Sequence, residues 1–368
     1  MVNNGLKVLA LMSGGVDSSV AAALLKELGY DVTGVTMKIW DGKTTAQVST
    51  QHGCYGPGEE EDIEDARKVA QNLNIPFQVF DLTGEYQSGV LDYFCSEYLS
   101  GRTPNPCVRC NPGIKFGALV DKARLSGIEF DFIASGHYAK VAYDDTLRRF
   151  VLKKAKDLTK DQTYFLAFLS QQQLSRLVLP LGDYTKIEIR EMAKRFGLSV
   201  ASKPDSQNFV CGDYASVINA ESNPGPILDK QGSLLGQHHG LQFYTIGQRK
   251  GLEISAKIPL YVSALDPAIN TVTLGTKEDL YHDEFIVSNL NWIAILELQH
   301  TMAVNVKIRS SHREAEAVLT PTENGNVSVK FKENQFAITP GQAAVFYQED
   351  VVIGGGIIEK VVLSNYLI

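Results

Sequence analysis

The segment Ser13-Gly14-Gly15-Val16-Asp17-Ser18-Ser19 follows directly on the apolar run Leu6-Lys7-Val8-Leu9-Ala10-Leu11-Met12, and it constrains this chain more than any other feature. A strand that enters a turn with two adjacent glycines and three hydroxyls, and then a helix, makes an anion trap. Backbone N–H groups of the turn and of the helix N-terminus converge on one spot, and the glycines let a ligand approach the main chain. No Gly-Lys-Ser/Thr follows, so this is not a Walker A loop. A plain glycine turn capped by Asp17 or Ser18 is the bland alternative. The complete string behind an apolar strand favours a nucleotide.

The first half alternates strand and helix patterns. Strands are expected over 6–12, 31–37, 76–82 and 130–135, and helices over 18–28, 59–74 and 84–99. Such spacing implies parallel pairing through right-handed crossovers, an α/β fold with a Rossmann-like parallel sheet. Two long interruptions, 40–58 and 100–113, leave near strand or helix ends, on the side where open α/β sheets bind ligands. Helical patterns are expected over 161–169, 171–178 and 186–196. From about residue 261 β-branched alternation dominates, and 304–309, 315–319, 327–331, 343–347 and 351–358 read as short strands of a small antiparallel barrel or sandwich.

With 368 residues, two or three domains are expected. No stretch of about 18 apolar residues occurs and the first residues lack a signal-peptide layout, so a cytoplasmic protein with no membrane partner is expected. A net charge of −7 argues against a globally basic nucleic-acid binder. It leaves room for a local groove, for which Lys140, Arg148, Arg149, Lys153, Lys154, Lys156 and Lys160 form the densest basic stretch.

Five cysteines, an odd number, point to thiol chemistry or metal binding rather than a disulfide framework. Cys107 and Cys110 form a Cys-x-x-Cys inside Thr103-Pro104-Asn105-Pro106-Cys107-Val108-Arg109-Cys110-Asn111-Pro112-Gly113-Ile114-Lys115-Phe116. The flanking prolines are expected to present both thiols on a stiff loop, with Arg109 favouring thiolate. Two sulfurs at this spacing reach one metal or one another. Zinc needs further ligands, and His52 with Cys54 keeps that reading open. Cys211 is a third sulfur of interest, whereas Cys95 is expected to pack in a helix.

The Ser13–Ser19 string resembles the PP-loop of ATP pyrophosphatases. Met37-Lys38-Ile39-Trp40, residues 103–116, Gly136-His137-Tyr138-Ala139, Lys160-Asp161-Gln162, Pro204-Asp205-Ser206-Gln207 with Cys211, residues 244–252 and Thr339-Pro340-Gly341-Gln342 follow in order. Together they resemble the tRNA-specific 2-thiouridylases over essentially the whole chain. That resemblance implies a PP-loop domain over 1–212, a small central β-rich domain over 213–285 and a C-terminal β-barrel over 286–368. It implies a sulfurtransferase that adenylates O2 of the wobble uridine, position 34, with ATP and replaces that oxygen with sulfur. ATP would lie on Ala10, Leu11, Met12, Ser13, Gly14, Gly15, Val16, Asp17, Ser18, Met37 and Gly136, with Asp17 placing Mg²⁺. The tRNA anticodon stem-loop would meet Asn105, Pro106, Cys107, Lys160, Asp161, Gln162, Arg309 and Ser310. Cys110 would be the nucleophile and Cys211 the persulfide carrier, supplied by a sulfur-relay protein or cysteine desulfurase, or by free sulfide.

Cys107 stands where the best-known members carry Asp. Three thiols, Cys107, Cys110 and Cys211, suit a 4Fe–4S cluster with one iron open to sulfide, and a cluster-free Cys211 persulfide and Cys110 disulfide relay is the alternative. Cys54 and Cys95 are expected to stand outside that chemistry. Arg309-Ser310-Ser311 lacks the aromatic usual there, which removes base stacking from that strand. Another PP-loop synthetase, or a non-catalytic RNA-binding protein, would leave the three cysteines unexplained.

Overall fold

β1 (Lys7–Leu11) is a central strand because its apolar residues have no polar face to offer solvent: Val8, Leu9 and Ala10 are all buried. The computed structural model describes residues 5–42, 53–204, 208–210, 217–218 and 222–362. Around β1 lie β2 (Asp31–Lys38), β4 (Phe77–Asp81), β5 (Phe132–Ser135) and β8 (Leu177–Val178), in the order β4-β2-β1-β5-β8 and all parallel. A separate two-stranded ladder pairs β3 (Gly53–Tyr55) with β9 (Asn208–Val210), again parallel.

The helix after β1, α1 (Val16–Glu27), buries Val16 and every residue from Ser18 to Leu25, so it is a core helix. Helix α2 (Glu59–Asn72) begins Glu-Glu-Glu-Asp, which suits the positive end of its dipole. The chain passes from β1 to β2 on one side and from β5 onward on the other. That reversal opens a crevice at the carboxyl ends of β1 and β5, where Leu11 and Ser135 sit in register.

The chain divides into two units: residues 1–91, 106–216 and 350–352 form one, and 92–105, 217–349 and 353–368 the other. The first unit also holds a hairpin of β6 (Lys140–Asp144) and β7 (Arg149–Lys153), against which Val351 pairs opposite Lys153.

The second unit carries two β structures. A four-stranded sheet runs β11 (Leu234–His238), β10 (Gly225–Asp229), β13 (Thr271–Gly275), β12 (Tyr261–Asp266), over a core that includes Ile227, Tyr244, Val262 and Val272. Beyond it β14 (Tyr281–Trp292), β15 (Met302–Lys307), β16 (Ala315–Pro321), β17 (Val327–Phe336), β18 (Ala343–Gln348) and β19 (Val351–Val361) close into a six-stranded barrel through the β14–β19 pairing. The α/β class, the central β-rich region and the barrel are as expected from the sequence. Strand β14 is the barrel member that the pattern missed, because only Phe285 and Val287 of its twelve residues are buried.

Several local expectations are corrected. The helix expected over 84–99 is three pieces: Thr83–Tyr86, a π-helical turn Gln87–Leu91, and Asp92–Leu99. Residues 171–178 give one helical turn, Gln171–Leu174, and then β8, a fifth strand of the parallel sheet. The Cys-x-x-Cys is not on an extended loop: Cys107–Cys110 is a helical turn that runs into a π-helical segment, Asn111–Ala118. Gln173 holds that segment open, its Nε2 donating to the carbonyls of Pro112 at 2.8 Å and Phe116 at 3.1 Å. No helix of the described residues is long and apolar enough to cross a membrane.

A candidate nucleotide and sulfur-transfer site

A cavity of about 360 Å³ occupies the crevice beyond β1, β2 and β5. Its lining includes Leu11, Met12, Ser13, Gly15, Val16, Asp17, Ser18, Met37 and Gly136, nine of the residues expected to hold ATP. The other two work from behind. Ala10 is inside β1, and Gly14, at φ +73°, has the Asp62 carbonyl where a Cβ would stand. Gly136 is equally confined, because a Cβ there would lie 2.5 Å from the Ser18 nitrogen.

The turn is wired internally. The Ser13 N–H donates to Ser18 Oγ at 3.0 Å, and the Ser19 hydroxyl donates to the Gly15 carbonyl at 2.8 Å. Glu59, 7% exposed at the start of α2, accepts from the Ile39 N–H at 2.6 Å and the Trp40 N–H at 3.1 Å. It thereby fixes the chain as it leaves β2 just past Met37. Burial pushes its carboxyl up, and the two N–H bonds oppose that.

Asp17, expected to place Mg²⁺, has other partners. Lys186 Nζ lies 2.7 and 2.8 Å from its two carboxylate oxygens, and the Tyr138 hydroxyl donates to it at 2.8 Å. A cation is already in place on both oxygens, so a magnesium ion would have to displace the ammonium. The arrangement does not fit Asp17 as a ready metal ligand. It makes Asp17 the link between the first turn of α1 and the helix Lys186–Arg195, which a Thr185/Glu188 capping box starts.

The other wall carries a thiol and a lysine. Lys115 and Cys54 line the cavity, and both act electrostatically on Cys107 and Cys110. Burial pushes Cys107 up to about 12 and Cys110 up to about 11, with Lys115 opposing in each case. This corrects the expectation that Arg109 would favour thiolate: Arg109 is exposed, and Lys115 is the cation the thiols feel. Burial works against the charge of Lys115 too, but Cys110, Cys54 and Cys107 together hold its pKa above the ordinary value. His137, also in the lining, is pushed down to about 3 by burial and then by Lys115, so its ring is neutral. Its Nδ1 lies 2.8 Å from Ser135 Oγ.

Cys211 lies outside the described residues, as do Asp205, Ser206, Gln207 and His52. Among the described residues no three His, Cys, Asp or Glu side chains come together as a metal-holding group. The described donors therefore do not by themselves fit a 4Fe–4S cluster. Cys95, in the second unit, directs its thiol to the Val217 carbonyl at 3.6 Å.

The residues expected to meet tRNA separate into groups. Lys160 and Gln162 line the cavity, and Gln162 Oε1 accepts the Tyr138 N–H at 2.8 Å. Asp161 braces the turn, accepting from the Ala155 N–H at 3.0 Å and the Thr163 hydroxyl at 2.5 Å. Pro106 is the N-cap of the Cys107–Cys110 turn. In the second unit, Asn105 follows Thr103 and Pro104, whose carbonyls accept from Gln342 Nε2 at 2.9 and 3.3 Å; this is the work of the Thr339–Gln342 motif. Arg309 is engaged with the carbonyls of Ile246 and Ala337 and the Thr339 hydroxyl, and Ser310 follows it exposed. The basic stretch lies on the β6–β7 hairpin and beyond, and Lys140, Lys153 and Lys156 pair with Asp183, Asp350 and Glu188. Those three contribute less free charge than the sequence suggests.

Sequence reading gave no role to Glu59, Lys115 or Lys186, and it weighed Cys54 only as a zinc ligand beside His52. A signal existed for Lys115, which the Cys-x-x-Cys motif carries eight residues after Cys107. None existed for Lys186, 169 residues from Asp17.

Three family models match in tandem: the tRNA methyl transferase HUP domain over residues 6–211, the tRNA methyl transferase PRC-barrel domain over 216–276 and the aminomethyltransferase beta-barrel domain over 282–358. Among curated proteins, the tRNA-specific 2-thiouridylase MnmA of Endomicrobium trichonymphae is 48% identical over 96% of this chain and 99% of its own length. The tRNA-specific 2-thiouridylase MnmA 2 of Caldanaerobacter subterraneus is 49% identical over 96% and 98%. A 4-thiouridine synthetase solved with RNA and bound ATP matches at a TM-score of 0.34 and 18% identity, over 59% of this chain and 47% of that one. With the Ser13–Ser18 turn, Cys54 and Lys115 around one cavity, and with nearly half its positions identical over 96% of its length, this chain belongs to the tRNA-specific 2-thiouridylase family.

Proposed function

We propose that this chain is an ATP-dependent tRNA uridine 2-sulfurtransferase acting on the wobble position. The observation that carries the reading is the shared cavity, with the Ser13–Ser18 turn on one wall and Lys115 and Cys54, beside the Cys107–Cys110 turn, on the other. The α-phosphate of ATP lies against the N–H groups of residues 14–18 at the start of α1, and Met37 and Gly136 border the nucleoside. Uridine O2 attacks the α-phosphorus, pyrophosphate leaves, and AMP is left on O2. Sulfur then adds at C2, and the C2–O2 bond breaks with AMP as leaving group.

Sulfur reaches C2 as the terminal atom of a persulfide on Cys211. Cys110 attacks the Cys211 sulfur of the resulting adduct, frees the thiolated base and ends in a Cys110–Cys211 disulfide. Lys115 balances negative charge on these sulfurs. A 4Fe–4S cluster on Cys107, Cys110 and Cys211 would instead supply sulfide at an open iron. Lys160 and Gln162 meet the target nucleotide at the cavity mouth. The partners are the tRNA anticodon stem-loop and a persulfide-delivering protein.

The test is formation of 2-thiouridine by the purified chain with ATP, tRNA and a persulfide donor, alongside tRNA-dependent ATP–pyrophosphate exchange. Exchange without thiolation in Cys110→Ser separates the two half-reactions. Absence of both in the wild-type chain removes the assignment.

A further inference from the structure

Gly136 packs against the first turn of α1: a Cβ there would stand 2.5 Å from the Ser18 nitrogen and 2.7 Å from the Asp17 carbonyl carbon. The next residue, His137, therefore flanks the spot on which the N–H groups of that turn converge, and it lines the cavity. We propose that His137 is a catalytic residue of the adenylation step, donating a hydrogen bond from Nε2–H to a non-bridging oxygen of the α-phosphate. The proposal rests on the sulfurtransferase function assigned to this cavity.

The tautomer is set from behind. Ser135, 4% exposed at the end of β5, has its Oγ 2.8 Å from His137 Nδ1, and among the described residues no other group bonds that hydroxyl. A buried hydroxyl with one neighbour gives its proton to that neighbour, so Nδ1 is the acceptor and the ring proton sits on Nε2. Nε2, across the ring from Ser135, has no partner among the described residues. Phe116 holds the ring plane, with centroids 5.8 Å apart and an interplanar angle of 47°. Lys115, beside Phe116 in sequence and also in the lining, has neither a hydrogen bond nor an ion pair among the described residues. Burial, and then this ammonium, disfavour the imidazolium and keep the ring uncharged.

An uncharged donor suits this step. As the bond from uridine O2 to the α-phosphorus forms and the bond to pyrophosphate breaks, charge is spread over the equatorial phosphate oxygens. A fixed N–H dipole in a water-poor cavity stabilises that charge without having to reorient. It adds a side-chain donor to the backbone donors of the turn. The imidazole keeps its proton throughout and neither gains nor loses charge. With Nδ1 bonded to Ser135 and Nε2 already protonated, the ring offers the cavity no lone pair, so His137 does not take the N3 proton of the uridine.

The test has two arms on the full chain. In the first, nitrogen-15 spectra of histidine-labelled protein, assigned with His137→Gln, report the tautomer without ATP or tRNA. A proton on Nε2, a bare Nδ1 and no titration between about pH 5 and 8 are expected. A proton on Nδ1, or a charged ring at about pH 7, overturns the proposal. In the second arm, tRNA-dependent ATP–pyrophosphate exchange is measured with ATP and with the two diastereomers of its α-phosphorothioate. His137→Phe should lower kcat about 10²-fold with KM for ATP within about threefold, the loss expected for one such donor. His137→Gln keeps an N–H donor and should return to within about tenfold of wild type. The wild type should prefer one diastereomer, and His137→Phe should shrink that preference at least about fivefold. An undiminished preference, or equal loss in the Gln and Phe variants, overturns the proposal. Absence of exchange in the wild type removes the functional assignment and this step with it. A wrong tautomer in a wild type that does exchange removes the proposal alone.

Discussion

The two walls of the cavity are built from different materials. The phosphate wall is backbone: a turn after β1, the first turn of α1, and two glycines that keep neighbouring chain segments in contact. The sulfur wall is side chains: Cys54 and Lys115, with the Cys107 and Cys110 thiols in their electrostatic reach, delivered by a short strand and a π-helical segment that are distant in sequence. A backbone site is fixed as soon as its local fold forms. A side-chain site is fixed only when separate elements arrive together, and its chemistry is set by what each group feels from the others.

The sharpest way to break this contrast is Gly136→Ala. One methyl group 2.5 Å from the Ser18 nitrogen must push the β5 turn and α1 apart, and a shift of about 1 Å at a reacting group lowers rate by about 10²-fold. ATP–pyrophosphate exchange should therefore fall by that order, while the rate of Cys110 alkylation is retained. A change in that rate as well would mean that the two walls are one mechanical unit.

On the sulfur wall, Lys115→Met should lower the rate of Cys110 alkylation about tenfold at a fixed pH near 8, through a smaller thiolate fraction. In the wild type, alkylation should climb with pH until about 11, because burial holds Cys110 as the neutral thiol up to that point. A plateau near pH 9 would mean that the thiol is not desolvated.

A smaller effect is expected where the first turn of α1 meets helix Lys186–Arg195. The Asp17–Lys186 pair is partly screened, with side chains 29% and 12% exposed, so a double-mutant cycle with Asp17→Asn and Lys186→Met should give a coupling of about 1 kcal/mol in denaturant unfolding. Smallest of all, Lys332→Ala, which removes the pair to Glu316 on the barrel surface, should change stability by less than about 0.5 kcal/mol. If that exposed pair couples as strongly as Asp17 with Lys186, burial is not what distinguishes them.

The same contrast explains what could be read from the sequence. The Ser13–Ser18 turn was legible because a backbone site is written in consecutive residues, and the parallel sheet followed from strand and helix alternation. Pattern failed where exposure or length defeats periodicity: β8 has two residues, and β14 faces its neighbours with mostly part-exposed side chains. Cys54 was set aside because its meaning depends on β3, a three-residue strand inside a stretch that reads as polar loop. Arg109 was chosen over Lys115 because it adjoins the thiols in sequence, whereas the π-helical turn brings the more distant lysine to them.

That π-helical segment also makes the site sensitive to counting. Asn111–Ala118 follows the dithiol turn with a wider winding than an α-helix, and Gln173 bonds two of its carbonyls. Were the same five residues from Cys110 to Lys115 to close with α spacing, at about 100° per residue instead of the roughly 80° of π winding, the lysine would swing by about 90° around the axis. No side chain need change for the ammonium to leave the sulfurs. A stretch one residue shorter and wound as an ordinary α-helix would bring the lysine back to nearly the same angle, so among relatives winding and length have to be read together before a lysine-backed dithiol is assigned.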